Sequence, residues 1–356
     1  MKSLFIVNTV YQLFIAINMK LHSIPNNTVD LVVSDHTPGL KNYIDTLKKS
    51  GLFDSIYYLK SLEVDKYFWG VPNDGKNDTF ANSKIILKRT FSEPTLQYDI
   101  YDTIYTANFD AYIKMVHKVY PNIRICQIED GAAICAIDWK SIQNKWNYIE
   151  GFNDIYNNVE ELWLYSPDLM GYKCSIKLMK LPTILQDTAT IKIFNDIFKY
   201  SPIKFPRFVF VEQSFEVDGI KNNDLEFMQL TFDIVGYDNL YIKPHPRNTI
   251  HRPFAFGLSK KLDDSVPFEL MLLNNDNYSD SIYITVDSGS LISTRVIFEQ
   301  DSATVFLYKA ISGKSHTHGN DSFVQYMDRF VEKYASKNLF VPGSLEEYRY
   351  ILTHLK

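Results

Sequence analysis

Short runs of apolar residues alternate with longer amphipathic stretches along the whole chain, and this alternation limits the possible folds more than any other feature. Residues 4–7 and 30–34 are two such runs, and helical spacing of apolar side chains follows each of them. Repeated units of this kind are typical of a mainly parallel sheet covered by helices. The sequence therefore predicts an α/β fold.

The pattern divides into two halves. The predicted strands are residues 4–7, 30–34, 55–59, 102–106, 123–128, 161–165, 208–211, 240–243, 282–286 and 303–307. The predicted helices are residues 10–20, 40–50, 85–91, 110–120, 190–200, 224–235, 267–273, 291–299, 322–335 and 345–355, with a loop at 61–82. Pro202 and Pro206 indicate a linker between the halves. We predict two domains, 1–200 and 207–356, which face a cleft.

The charge balance argues against one class of partner. The 37 basic and 42 acidic residues give a formal net charge of −5, whereas proteins that bind nucleic acid usually present a net basic field. A local basic pocket for a small anion is compatible with this balance. Three cysteines are too few for a disulfide framework, and no run approaches the ~20 apolar residues of a membrane span. We therefore expect a cytoplasmic protein.

A first polar cluster, Glu129-Asp130-Gly131, directly follows a predicted strand. A carboxylate at a strand end can act as a general base toward a hydroxyl group. The same tripeptide is also an ordinary acidic start to a helix, where negative charge stabilises the helix dipole. Asp218, after another strand, is an alternative base.

A second cluster, Lys243-Pro244-His245-Pro246-Arg247, ends the predicted strand at 240–243. The two prolines restrict the backbone on both sides of the histidine. The flanking basic side chains suit a phosphate group, to which His245 can donate a hydrogen bond or a proton. The alternative is a rigid loop with a solvated histidine.

A third cluster, Ser288-Gly289-Ser290, follows a strand and opens a helix. Hydroxyl groups and backbone amides at a helix N-terminus can bind an anion, and simple helix capping by serine is the alternative. The chain contains no Asp-x-Asp pair, no GxxxxGK[ST] loop and no GxGxxG fingerprint. His316 and His318 lack a third ligand at useful spacing. We expect no metal site and no bound cofactor.

The order of these clusters resembles that of bacterial sialyltransferases, which carry an acidic motif with glycine, an HP motif and a Ser/Thr motif. Here they correspond to Glu129-Asp130-Gly131, His245-Pro246, and Ser288 with Ser290. The opening Phe5-Ile6-Val7-Asn8-Thr9-Val10-Tyr11-Gln12-Leu13 is similar to the start of glycosyltransferase family 52, with Val10 in place of the expected Pro. That family also includes α-glucosyltransferases.

The resemblance implies a GT-B-type fold of two Rossmann-like domains and an inverting, metal-independent sialyltransferase. CMP-sialic acid would be the donor, and a galactoside of lipooligosaccharide or capsule would be the acceptor. Lys243, Pro246, Arg247, Ser288, Gly289 and Ser290 would bind the donor, and Asn8, Thr9 and Gln12 the acceptor. The resemblance further implies a homodimer that acts at the inner face of the membrane, where peripheral contact is possible.

In the expected mechanism, Glu129, Asp130 or Asp218 accepts the proton of the acceptor hydroxyl while His245 stabilises the leaving phosphate. The tripeptide at 129–131 is favoured slightly over Asp218 as the source of the base. A hexosyltransferase that uses a UDP-sugar is the alternative enzyme. A non-catalytic saccharide-binding protein and a hydrolase are further alternatives from other classes.

Overall fold

The protein forms two compact α/β units in the computed structural model. The structure describes residues 1–70, 79–88, 92–131, 133–136, 154–184, 186–245, 247–248, 260–315 and 321–356. The first unit consists of Met1–Asp130, Ile137–Pro182 and Lys192–Tyr200, and the second of Gly131–Ala136, Thr183–Ile191 and Ser201–Lys356. Two short segments that precede residue 200 therefore pack with the second unit.

The first unit contains an eight-stranded sheet. Its strands are β1 (Lys2–Val7), β2 (Thr28–Ser34), β3 (Ser55–Leu59), β4 (Ser92–Glu93), β5 (Thr103–Thr106), β6 (Arg124–Ile128), β7 (Val159–Leu164) and β8 (Lys177–Lys180). They lie in the order β4-β3-β2-β1-β5-β6-β7-β8, and all pairs are parallel except β3 with β4. Strand β1 is central, and its residues Leu4, Phe5, Ile6 and Val7 are fully buried. Burial on both faces explains why this strand is a continuous apolar run.

The second unit contains a parallel sheet of six strands. These are β9 (Phe208–Val211), β10 (Leu240–Lys243), β11 (Lys260–Lys261), β12 (Ile282–Thr285), β13 (Ala303–Phe306) and β14 (Leu339–Phe340). Their order is β11-β10-β9-β12-β13-β14. Phe210, Ile242, Ile284 and Val305 from four neighbouring strands form the centre of the core, each at most 1% exposed. Parallel pairing places the carboxyl ends of all six strands at one edge.

Helices connect most of the strands. They are α1 (Val10–His22), α2 (Ile44–Ser50), α3 (Ser61–Gly70), α4 (Thr79–Lys88), α5 (Ala111–Val119), α6 (Ala133–Ala136), α7 (Asp154–Asn157), α8 (Thr188–Phe198), α9 (Asp224–Val235), α10 (Phe268–Leu273), α11 (Gly289–Val296), α12 (Asp321–Lys333) and α13 (Leu345–Leu355). Short 3-10 helices lie at Leu40–Tyr43, Pro167–Leu169 and Tyr278–Asp280. Local capping defines the start of α13, because Ser344 Oγ accepts the Glu347 amide at 3.1 Å.

The predicted loop at 61–82 is wrong at residues 61–70, which form α3, and at residues 79–82, which begin α4. Residues 71–78 of this prediction lie outside the described residues. The N-terminus of α3 is capped by Asp35, whose Oδ1 accepts from Ser61 Oγ at 2.8 Å and from the Leu62 amide at 3.0 Å. Val64 is fully buried in the core of the first unit. The cap comes from a residue 26 positions earlier, so the local sequence does not show it.

No helix within the part of the chain that the structure describes is long and apolar enough to cross a membrane.

Candidate functional site

The predicted base and the predicted acceptor residues of the first unit lie at the carboxyl edge of its sheet. Strands β1, β5, β6 and β7 are consecutive neighbours in that sheet and run parallel. Asn8 follows β1, Asp110 follows β5, Glu129 follows β6 and Tyr165 follows β7. In open α/β sheets, ligands bind beyond the carboxyl ends of the strands.

Glu129 is a buried carboxyl group with two hydrogen-bond donors. Its Oε1 accepts from the Tyr11 hydroxyl at 3.0 Å, and its Oε2 accepts from the Tyr165 amide at 2.9 Å. The residue is 7% exposed. Burial raises the pKa of Glu129 to about 7, against the opposing effect of both hydrogen bonds. A carboxyl group with such a pKa exchanges protons near neutral pH, as a general base must.

Asp130 is exposed and is held by Gln12. The side-chain amide of Gln12 donates to Asp130 Oδ1 at 3.0 Å, while its Oε1 accepts the Asn8 amide at 2.7 Å. Gln12 itself is fully buried. Gly131 has a φ of +81°, a conformation that glycine adopts without steric cost. The chain therefore turns directly after the two carboxylates.

Asn8 and Thr9 position the neighbouring loops of this edge. Asn8 is 2% exposed and donates through Nδ2 to Asp110 Oδ2 at 3.0 Å. Its carbonyl oxygen accepts from Thr37 Oγ1 at 2.7 Å. Thr9 caps α1, because its Oγ1 accepts the Gln12 amide at 3.2 Å. These contacts tie Asn8, Thr9 and Gln12 to the carboxylate cluster, and their contact with an acceptor stays a prediction.

His245 lies at the carboxyl edge of the second sheet, directly beyond β10. The strands β10, β9 and β12 are neighbours there. His245 is partly buried, and its Nδ1 accepts the Arg247 amide at 3.2 Å. Since Nδ1 is an acceptor in this contact, the neutral ring carries its proton on Nε2. Nε2 is then the nitrogen that can donate to a ligand.

Arg247 forms an ion pair with Asp218. Its guanidinium donates to the two Asp218 oxygens at 3.0 and 3.1 Å, and to Ser214 Oγ at 2.8 Å. Ser214 Oγ in turn donates to Asp218 Oδ2 at 2.6 Å. The guanidinium is thereby fixed in orientation although its side chain is 58% exposed. Asp218 is occupied by this cation, which makes it a less suitable base than Glu129.

Lys243 is held inside the second unit. It is 4% exposed, and its Nζ donates to the carbonyl oxygens of Asp263 at 2.6 Å and Val266 at 2.9 Å. Burial lowers the pKa of Lys243 to about 8. These contacts give Lys243 a structural role, and its contact with a donor stays a prediction. Pro246, another predicted donor-binding residue, lies outside the described residues.

Ser288 caps the eight-residue helix α11, at the end of β12. Its Oγ accepts the Ser290 amide at 3.3 Å, and its own amide donates to Thr285 Oγ1 at 3.3 Å. Gly289 begins the helix, and a Cβ added there would meet no atom within 4 Å. The capping interpretation of the serine cluster is therefore confirmed, while anion binding by Ser288, Gly289 and Ser290 stays a prediction.

Sequence reasoning missed several residues that contribute to these two edges, among them Asp110 and Tyr165, which contact Asn8 and Glu129. Tyr11 contacts Glu129, and Ser214 contacts Arg247. Gln213 is 8% exposed, and its Nε2 has no hydrogen-bond partner within the described ranges. Gln213 and Ser214 lie two and three residues after the end of β9, so their place after a strand was the available signal. No group of three metal-ligating side chains occurs among the residues that the structure describes.

Solved glycosyltransferases share this fold. Arabidopsis thaliana UGT89C1 complexed with UDP aligns with a TM-score of 0.53 and 13% identity, over 99% of this chain and 90% of that one. The glycotransferase of kitacinnamycin aligns with a TM-score of 0.52 and 9% identity, over 99% and 90%. A sialyltransferase GT-B domain from Photobacterium damselae aligns over 96% and 100% with 13% identity, and its TM-score of 0.45 is too low to favour any donor.

No family model and no curated protein sequence matches the chain. At the identities of the solved structures, the likeness concerns the fold alone. The predicted GT-B-type α/β fold with two Rossmann-like domains is confirmed by the two mainly parallel sheets and by these neighbours.

Proposed function

We propose that the protein is an inverting, metal-independent glycosyltransferase that moves a sugar from a nucleotide donor to a hydroxyl group of a glycan. The observation that carries this proposal is Glu129, a buried carboxyl group at the end of β6 with a pKa of about 7. The donor we favour is CMP-sialic acid and the acceptor a galactoside of lipooligosaccharide or capsule, because the order of the motifs resembles that of bacterial sialyltransferases.

Glu129 acts as the general base in this proposal. Its ionised form is stabilised by the Tyr11 hydroxyl and the Tyr165 amide, and each of its oxygens keeps a further lone pair for the acceptor. The carboxylate removes the proton of the acceptor hydroxyl as that oxygen attacks the anomeric carbon. The bond between the anomeric carbon and the phosphate oxygen breaks, and the phosphate keeps the electron pair. Attack from the opposite side inverts the anomeric configuration.

His245 and Arg247 hold the departing phosphate. The Nε2–H of His245 donates a hydrogen bond to the phosphate oxygen that gains charge, while its Nδ1 stays fixed by the Arg247 amide. Arg247 keeps N–H groups beyond those used by Asp218 and Ser214 in the described contacts. Fixed donors of this kind stabilise developing charge without reorganisation. Gln213 and the N-terminus of α11 supply further donors at the same edge.

A hexosyltransferase that uses a UDP-sugar is the second candidate function. The observation that favours it is the group of neighbours with a TM-score above 0.5, which includes UGT89C1 complexed with UDP and with UDP-L-rhamnose. The acid-base residues proposed above serve this reaction equally well. The two candidates therefore differ in the nucleotide that the second unit binds.

Calorimetric titration of CMP and UDP into the wild-type protein and into His245→Ala tests the proposal. We expect CMP to bind and the variant to bind it about 10-fold or more weakly, because a charge-assisted hydrogen bond to phosphate is lost. Binding of UDP alone would transfer the proposal to the UDP-sugar reaction. A wild-type protein that binds neither nucleotide would contradict both.

A further inference from the structure

A pocket of about 850 Å³ lies on the first unit, away from the carboxylate cluster. Its lining includes Lys41, Asp45, Lys48, Tyr58, Pro94 and Lys199. The volume is in the range of small-molecule sites, roughly 300–1,000 Å³. The proposed glycosyl transfer makes no use of these residues.

The charge of this pocket is opposite to that of the protein. Lys41, Lys48 and Lys199 outnumber Asp45 in the lining by three to one, whereas the whole chain has a formal net charge of −5. Lys41 Nζ lies 4.7 Å from the centroid of the Tyr58 ring. A concentration of lysines over a concave, partly apolar surface attracts an anion.

Lys199, which lines this pocket, adopts a strained backbone conformation. It has a φ of +54°, in the left-handed region that favours glycine. It follows the last residue of α8, and the Tyr200 amide donates back to the Asn195 carbonyl at 2.9 Å, the pattern of a Schellman turn. Its Nζ donates to the Asn42 carbonyl at 3.2 Å. Glycine would fit this turn at lower conformational cost, whereas lysine adds an ammonium group to the lining of the pocket.

We propose that this pocket, formed by Lys41, Lys48, Lys199 and Tyr58, binds an anionic sugar residue. The ammonium groups match a carboxylate on the sugar, and Tyr58 with Ile44, Ile56 and Pro94 gives apolar walls for the C–H faces of a pyranose ring. The concave shape favours a discrete saccharide over a flat lipid surface, and the size exceeds that needed for a free phosphate.

The biological role of the pocket rests on the proposed function. Tyr58 belongs to β3, which is four strands from β6 in the sheet order, a separation of about 19 Å at ~4.8 Å per strand. A sugar bound there is too far from Glu129 to react. The pocket would instead hold a distal acidic residue of an extended acceptor glycan, whose terminal residue reacts elsewhere.

Titration of trigalacturonate into the full-length protein tests this proposal. We expect binding to the wild type and no comparable binding of neutral maltotriose or of inorganic phosphate at the same concentration. Lys48→Glu should weaken the binding of trigalacturonate about 10-fold or more, because it reverses a charge in the lining. Lys199→Gly should weaken it about 3- to 10-fold while the melting temperature is maintained or raised, since glycine relieves the strained turn.

Lys49→Glu is the matched control, because Lys49 is the next residue of α2 and does not line the pocket. It should change the affinity for trigalacturonate less than about 2-fold. An equal loss in Lys48→Glu and Lys49→Glu would overturn the proposal in favour of general surface charge. Equal affinities for inorganic phosphate and for trigalacturonate would contradict the proposal that the ligand is a sugar.

Vesicles of phosphatidylglycerol and phosphatidylcholine test the membrane alternative. If Lys48→Glu weakens vesicle binding and leaves trigalacturonate binding unchanged, the pocket is a lipid contact and the proposal is wrong. CMP or UDP binding should be the same in Lys48→Glu and wild type. If the wild type binds neither CMP nor UDP, the glycosyltransferase proposal fails. If the wild type does not bind trigalacturonate, the proposal for this pocket fails.

Discussion

Glu129 beyond β6 and Arg247 beyond β10 occupy corresponding places at the carboxyl edges of two parallel sheets, but their surroundings differ. Glu129 is 7% exposed and contacts a tyrosine hydroxyl and a backbone amide, which are both neutral. The side chain of Arg247 is 58% exposed and is paired with the opposite charge of Asp218. Burial raises the cost of ionising Glu129.

This difference suits Glu129 and Arg247 to different tasks. A buried carboxyl group whose described partners are neutral takes up a proton near neutral pH, whereas an arginine fixed by an acid presents a permanent charge in a defined direction. The first edge is thus suited to proton transfer and the second to holding an anion.

The largest expected effect is the loss of turnover in Glu129→Gln. We expect kcat to fall about 10²- to 10⁴-fold, because the variant keeps the shape of the side chain and lacks the proton acceptor. Release of nucleotide in the presence of the acceptor measures this effect. Nucleotide affinity, measured by calorimetry, should stay within about 2-fold of wild type.

Asp130→Asn is the matched control for this loss, since Asp130 is the adjacent carboxylate but is exposed. Its kcat should fall less than about 10-fold. A greater loss of kcat in Asp130→Asn than in Glu129→Gln would assign the base to Asp130. Burial of the carboxyl group would then not identify the base.

The second prediction concerns the pH dependence of stability. The pKa of Glu129 is about 7 in the folded protein, against an ordinary value of 4.5 that applies to the unfolded chain. The stabilisation from the bound proton is therefore complete below pH 4.5 and is lost as the pH rises through 7. Glu129→Gln removes this loss, so its free energy of unfolding relative to wild type should rise between about pH 5 and pH 8, by on the order of 3 kcal/mol at most.

Denaturant unfolding of the wild type and of Glu129→Gln, at about pH 5 and about pH 8, measures this difference in the free energy of unfolding. The glutamine side chain of the variant would still accept the Tyr165 amide and can donate to the Tyr11 hydroxyl oxygen. A relative stability that is the same at both pH values would contradict the raised pKa of Glu129.

The third prediction is a smaller shift in the pH profile of Tyr11→Phe. The Tyr11 hydroxyl stabilises the ionised form of Glu129, so its removal should raise the pKa of the carboxyl group further. The acidic limb of kcat/KM should move upward by about one pH unit. Tyr350→Phe, at a position 65% exposed on α13, should leave the profile unchanged. A downward shift in Tyr11→Phe would contradict the assignment of Glu129 as the base.

The smallest expected effect is that of Asp218→Asn at the second edge. Loss of the ion pair leaves Arg247 less well oriented, and nucleotide affinity should fall about 2- to 5-fold. The free energy of unfolding should change by less than about 1 kcal/mol, because the arginine side chain is largely exposed. Calorimetry and denaturant unfolding measure the two effects. A loss of kcat as large as that of Glu129→Gln would make Asp218 the base.

Sequence patterns are sufficient to predict the inner strands of both sheets and the place of the polar clusters, but they miss the edge strands β4, β8, β11 and β14. The predicted strands at 208–211 and 240–243 have the observed bounds of Phe208–Val211 and Leu240–Lys243, because short apolar runs of this kind are typical of buried parallel strands. Polar residues that follow parallel strands must lie at one edge. This rule alone places Glu129, His245 and Ser288 at carboxyl edges.

Other features depend on contacts between residues far apart in the chain. Helix α3 is capped by Asp35, and the ammonium group of Lys243 is bound by carbonyl groups at positions 263 and 266. The local sequence predicts a loop in the first case and a ligand-binding lysine in the second. Neither partner is visible in the neighbouring sequence.

The pattern of apolar runs and polar clusters is enough to predict two α/β halves and to place Glu129 directly after a strand. The chemistry of this carboxyl group depends on contacts that exist only in the folded protein. Its partners Tyr11 and Tyr165 are 118 and 36 positions away in the chain, and the packing that brings them together also excludes water. Because a pKa depends on solvent exclusion and on nearby dipoles, the chemistry of Glu129 was set by folding and not by its local sequence.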